Sequence, residues 1–128
     1  MELIEYSPKT FKHCSFSMSV PAIRFTAAGP IYLNKLAVEL LGKDMKKGII
    51  LFQDKNRPQD WFFRLSDEGF NFNPYKKEDG TLYFSSKKLV EKVRESIKSP
   101  KKAFGLKILD KTVIDSVPVY PLLTSTTV

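Results

Sequence analysis

The chain has 128 residues, 42% of them hydrophobic, and a formal net charge of +7, which suits one domain with a modest core. A single cysteine, Cys14, excludes an intrachain disulfide and a multi-cysteine zinc site. No apolar run approaches the ~20 residues of a membrane helix, and the N-terminus lacks the basic-then-apolar order of a signal peptide; a cytoplasmic protein without membrane contact is expected.

Residues 1–20 mix polar and aromatic types and read as an N-terminal arm. The run AIRFTA from Ala22 reads as a short strand, and Gly29 supplies a turn position with positive φ. Ile31, Tyr32 and Leu33 form the next strand. Asn34 is suited to cap a helix that carries Leu36, Ala37, Leu40 and Leu41 at helical spacing and stops at Gly42. GIILFQ and WFFRL follow as strands joined by the polar turn DKNRPQD.

The same order then recurs. GFNFNPY from Gly69 alternates like a half-buried strand, Gly80 turns the chain, and Leu82, Tyr83 and Phe84 form a strand. Ser85 is the expected cap of a longer helix with Leu89, Val90, Val93 and Ile97 on one face and Pro100 past its end. GLKIL and VPVYPLL close the unit, joined by DKTVIDS, and TSTTV reads as a frayed tail. The offset is about fifty residues, a period that suggests an internal repeat. The expected organisation is therefore an arm (1–20), a first β-α-β-β repeat (21–68), a second (69–123) and a tail (124–128), the repeats forming a single domain. The fold class is mostly β with two short helices (α+β). The aromatic strand residues Phe52, Trp61, Phe62, Phe63, Phe84 and Phe104 are expected to share the core.

The segment from Ile23 to Lys55, IRFTAAGPIYLNKLAVELLGKDMKKGIILFQDK, resembles the AbrB/MazE-like swapped-hairpin family. That family shows a basic-apolar strand, a glycine, an apolar strand meeting a helix, then an LLGL stretch and a KEGD-like turn. ELLG and MKKG stand at those places. The resemblance implies a barrel in which hairpins of two copies interleave, here as a single-chain pseudo-dimer. It also implies DNA binding, as in transcriptional regulators and antitoxins. Carried over by position, Arg24 is the basic strand residue and Lys35 lies at the helix start; in the second copy Lys76 and Lys77 lie in the hairpin arm and Lys87 and Lys88 near the helix start. Between Ser85 and Lys111 there are nine Lys/Arg against three Asp/Glu, a balance that favours a polyanion partner.

The sequence departs from the family where Pro30 and Thr81 follow the turn glycines and where Val38 and Glu39 stand for helix arginines. Asn34 and Ser85 replace the helix-opening proline. These departures motivate an alternative, a non-catalytic assembly module that forms a homodimer or meets a protein partner through edge strands or the arm. Catalysis is not expected. His13 and Cys14 are neighbours, which extended backbone points to opposite faces, and one histidine leaves few acid-base schemes. Asp54, Asp60, Asp110 and Asp115 read as turn residues rather than metal ligands. No cofactor or metal is expected. Tyr32, Tyr75, Tyr83 and Trp61 lie near basic residues and could stack on bases, although strand positions favour core use.

Overall fold

A computed structural model describes residues 20–74 and 80–128. The arm, His13 and Cys14, and Tyr75, Lys76 and Lys77 lie outside the described residues.

The elements are β1 (Ala22–Phe25), β2 (Pro30–Leu33), α1 (Lys35–Leu41), a 3-10 turn (Gly42–Asp44), β3 (Gly48–Gln53), β4 (Trp61–Leu65), β5 (Phe70–Asn71), β6 (Asn73–Pro74), β7 (Leu82–Ser85), α2 (Lys87–Ile97), β8 (Phe104–Ile108), β9 (Thr112–Ile114) and β10 (Val117–Leu123). Nine strands form one antiparallel sheet in the order β5-β3-β4-β10-β8-β1-β2-β7-β6, and β9 pairs with β10 off this path. The ends of the order, β5 and β6, are consecutive in the chain and separated only by Phe72. The sheet therefore curls into a nearly closed barrel.

Strand alternation fills its interior. Ile23 and Phe25, Ile31 and Leu33, Trp61, Phe63 and Leu65, and Leu106 and Ile108 point inward and are buried. Phe25 stacks on Phe104, and Phe63 on Tyr120, with ring centroids 5.1 and 5.2 Å apart. At roughly 25 cal/mol per Å², each such ring contributes on the order of 2–3 kcal/mol, and these groups dominate the core. Phe52 does not join them. It pairs with Phe62, which likewise stays out of the core, on the outward parity of β3 and β4 and is 37% exposed, because its inward neighbour Leu51 has already taken the core position opposite Phe63.

The turns follow from local chemistry. Gly29 (φ 119°) and Gly80 (φ 73°) occupy the left-handed side of backbone space, as the hairpin reading expects. Asn34 caps α1: its Oδ1 accepts from Ala37 N (2.8 Å) and from Ala22 N (3.1 Å), while its Nδ2 donates to Val20 O (2.8 Å). This one buried side chain fixes both the helix start and the beginning of β1.

The second half differs from the sequence reading in four places. Ser85 is the last residue of β7, and Ser86 is the cap of α2, accepting from Leu89 N at 3.2 Å; two adjacent serines offer the same hydroxyl, and the strand register selects the second. GFNFNPY is not one strand, since the chain kinks at Phe72, whose N–H bonds Lys47 O (2.9 Å). Its two halves serve β3 and β7 respectively. DKTVIDS is not a plain turn. It contains β9 and a two-residue turn at Asp115 and Ser116, with φ of 49° and 67°. The tail is docked rather than frayed at its end, because Val128 N donates to Gly105 O (2.9 Å).

Candidate nucleic-acid interface

The β2–β7 ribbon lies at the centre of the surface that carries the expected site residues. Its register is Pro30↔Ser85, Ile31↔Phe84, Tyr32↔Tyr83 and Leu33↔Leu82. Ile31, Leu33 and Phe84 face the core, so Tyr32 and Tyr83 face outward, with ring centroids 5.8 Å apart. Arg24 pairs with Tyr32 across β1 and shares that outward parity. Asn73 pairs with Tyr83 on the other side. One row across four strands thus reads Arg24, Tyr32, Tyr83, Asn73.

The helices leave from the two ends of the same ribbon. Lys35 opens α1 beyond Leu33, and Lys87 and Lys88 open α2 beyond Ser86; all three lysines are exposed. Each helix start lies beside the other hairpin's turn. A Cβ on Gly80 would lie 3.6 Å from Lys35 Cγ, and one on Gly29 would lie 3.6 Å from Lys87 Cβ. The Gly29 carbonyl also accepts from Ser86 N at 3.1 Å. At about 3.4 Å per strand residue, Lys35 and Lys87 are some 20–25 Å apart along the ribbon. The structure therefore brings Arg24 to the flank of the central pair and sets the lysines at its ends.

The remaining expected groups have plain structural uses. Trp61 is buried and its Nε1 donates to Ser96 Oγ (2.7 Å). Asp54 Oδ1 accepts from Asn56 N (2.8 Å) and Arg57 N (3.3 Å), and Asp60 pairs with Arg57 (3.1 Å); both carboxylates shape the β3–β4 turn.

A second cationic cluster was not legible in the sequence. Lys43, Lys46, Arg64 and Lys111 line one cavity with Asp44 and Tyr120. Asp44 Oδ2 accepts from Lys111 Nζ (2.8 Å) and from the Tyr120 hydroxyl (2.7 Å). The lysine hydrogen bond, then the tyrosine's, then the lysine charge, hold the Asp44 carboxyl below its ordinary range. Burial, and then the bond to Asp44, push the Tyr120 hydroxyl up to about 12. Asp44 and Lys111 are 67 positions apart, so no sequence motif could have announced them.

Charge agrees in sign with a polyanion partner. The described residues alone hold seventeen Lys/Arg against ten Asp/Glu, the whole +7, so the barrel itself carries the excess. No family model, curated protein or solved structure matches the chain.

Proposed function

We propose that the barrel consists of two interleaved copies of one β-α-β-β unit, of swapped-hairpin AbrB/MazE-like type, and that its β2–β7 face binds duplex DNA. The architecture is supported by an exchange relation. Swap β1 with β5/β6, β2 with β7, β3 with β8 and β4 with β10, and the strand order maps onto itself. The registers follow the same rule. Tyr32↔Tyr83 and Pro121↔Phe62 map onto themselves, and Ile31↔Phe84 maps onto Leu82↔Leu33. Trp61 and Tyr120 take equivalent places. Each donates a hydrogen bond to the far end of the other half's helical segment, at Ser96 and Asp44 respectively.

The functional reading is carried by one observation: Lys35 and Lys87 are each the first residue of a helix and each lies beside the other hairpin's turn glycine, one at each end of the ribbon, although α2 starts one residue later than the strand exchange would put it. Backbone positions roughly 20–25 Å apart along the strands are wider than a major groove of about 12 Å, so the two lysine side chains would reach inward from either end to meet phosphates on its two sides. The halves have diverged, because Arg24 maps onto Asn71 and Asn73 in the split strand. A symmetric palindrome would therefore be read unequally, with the first half supplying the arginine contact.

Fluorescence anisotropy with a short labelled duplex, at about 50 mM salt where phosphate contacts are strong, tests the reading. Saturable duplex binding, weakened by Lys35→Gln and by Lys87→Gln alike, is expected. Folded protein that leaves the duplex free at that salt would overturn it. An assembly role has its own supporting observation: β9 pairs only with β10 among the described residues and is exposed throughout, an edge open to another strand. Light scattering would reveal a stable oligomer indifferent to DNA.

A further inference from the structure

β10 parts from β4 at one point. Their ladder holds at Tyr120↔Phe63 and Pro121↔Phe62, and the first half of β10 pairs with β9 instead. Beside the parted strands two cavities open, of about 320 and 690 Å³, and both are lined by Arg64 and Val117. They form the two ends of one cleft, in the size range of small-molecule sites.

The ends differ in chemistry. Lys43, Lys46 and Lys111 line the smaller cavity, where the one carboxylate, Asp44, is already engaged by Lys111 and Tyr120. Phe52, Phe62, Ile114 and Val119 line the larger one. Arg64 stands between them. Its guanidinium lies over the Phe52 ring at 5.8 Å, and its buried Nε has no hydrogen-bond partner. Among the described residues no carboxylate pairs with this guanidinium, so an anion entering the cleft would supply the missing charge partner. Six large hydrophobics are exposed among the described residues, and four of them, Phe52, Val113, Ile114 and Val117, gather on this cleft and its hairpin. Two carboxylates, Asp54 and Asp115, against one lysine, Lys55, also line the larger cavity. A bound anion would therefore direct its charge toward Arg64 and the lysines of the smaller cavity rather than toward those carboxylates.

We propose that this cleft binds an amphipathic organic anion: a carboxylate, sulfonate or phosphate head at Arg64, Lys43 and Lys46, with an aromatic or acyl body against Phe62, Ile114 and Val119. An inorganic anion would leave the apolar end wet, and a neutral apolar molecule would leave Arg64 unpaired. The site is separate from the β2–β7 face and does not depend on the DNA reading.

The test uses the full chain and the fluorescent probe 8-anilinonaphthalene-1-sulfonate, with dodecanoate, dodecanol and inorganic phosphate as competitors. The probe is expected to bind saturably to protein with an unchanged melting curve, and dodecanoate is expected to displace it at concentrations where dodecanol and phosphate do not. Arg64→Met keeps the apolar stem and removes the charge, so it should weaken binding about tenfold or more. Lys43→Gln/Lys46→Gln, at exposed positions that leave folding intact, should weaken it severalfold. Lys92→Gln, on the outer face of α2, should leave it unchanged. Failure of the folded wild type to bind the probe would overturn the proposal. So would displacement by dodecanol or phosphate as effective as by dodecanoate, or Lys43→Gln/Lys46→Gln binding indistinguishable from wild type.

Discussion

Gly69→Ala should open the seam that closes the barrel. Gly69 lies where the chain turns from β4 into β5 and runs against β3. A Cβ there would fall on the backbone carbonyl of Ile49, and one on Gly48 would fall 2.5 Å from the Phe70 carbonyl oxygen. Both clashes are with backbone, so no rotamer change relieves them. The strands must separate, which removes the pairs Gly48↔Asn71 and Ile49↔Phe70 and loosens the Phe70–Phe84 stack, now at 5.4 Å. Overpacking typically costs about 1–3 kcal/mol, and a backbone obstacle places this variant at or above the upper value. With an unfolding entropy of about 2.1 cal/mol/K per residue, about 3 kcal/mol lowers Tm by roughly 11 °C in a chain of this length. Gly48→Ala should cost a similar amount. The double variant should cost much less than the sum, because a strand already displaced meets no second clash. Calorimetry or thermal circular dichroism on the four proteins completes the cycle. A Gly69→Ala Tm within about 2 °C of wild type, or fully additive costs, would refute the packed β3–β5 contact.

Two further perturbations test individual devices. Asn34→Ala removes an acceptor for two backbone N–H groups and a donor to Val20 O; a loss of about 2–4 kcal/mol is expected in denaturant titration, from cap and buried-donor costs together. The Asp44–Tyr120 contact gives stability an acid and an alkaline limit. Asp44, depressed in the fold from an ordinary 3.8, contributes stability above that pH that is lost as pH falls through its folded value. Tyr120, raised from 10.0 to about 12, contributes stability that is complete below pH 10 and lost as pH rises through 12. Melting curves across pH should show both limbs in the wild type, and Tyr120→Phe should remove the alkaline one.

Local chemistry made part of this fold legible, and tertiary pairing hid the rest. Gly29, Gly80 and Asn34 act within a few residues, so their roles could be read from their neighbours. The mostly-β class with two helices followed from strand alternation and helical spacing, while a barrel was expected only from the family resemblance. The order β8-β1-β2-β7 did not, since which strands meet is decided by packing between residues far apart in the chain. Phe52 misled for a related reason: hydrophobicity named it a core residue, but the parity set by Phe63 and Leu65 turned it outward. The cluster of Lys43, Lys46, Arg64 and Lys111 was invisible because the 3-10 turn, β4 and the β8–β9 link contribute to it separately. Arg24, Lys35, Lys87 and Lys88 were named from position in a pattern; the structure places Arg24 beside Tyr32 on the outward parity and the three lysines, exposed, at the helix starts.

The salt dependence of duplex binding tests the DNA reading most directly. Each phosphate contact contributes about −0.9 to the slope of log K against log salt. Wild-type protein using Lys35, Lys87 and Lys88 should therefore show a slope near −2.7 or steeper, and Lys35→Gln/Lys87→Gln/Lys88→Gln should flatten it by about 2.7. A triple variant with the wild-type slope, or a wild type with none, would contradict the account.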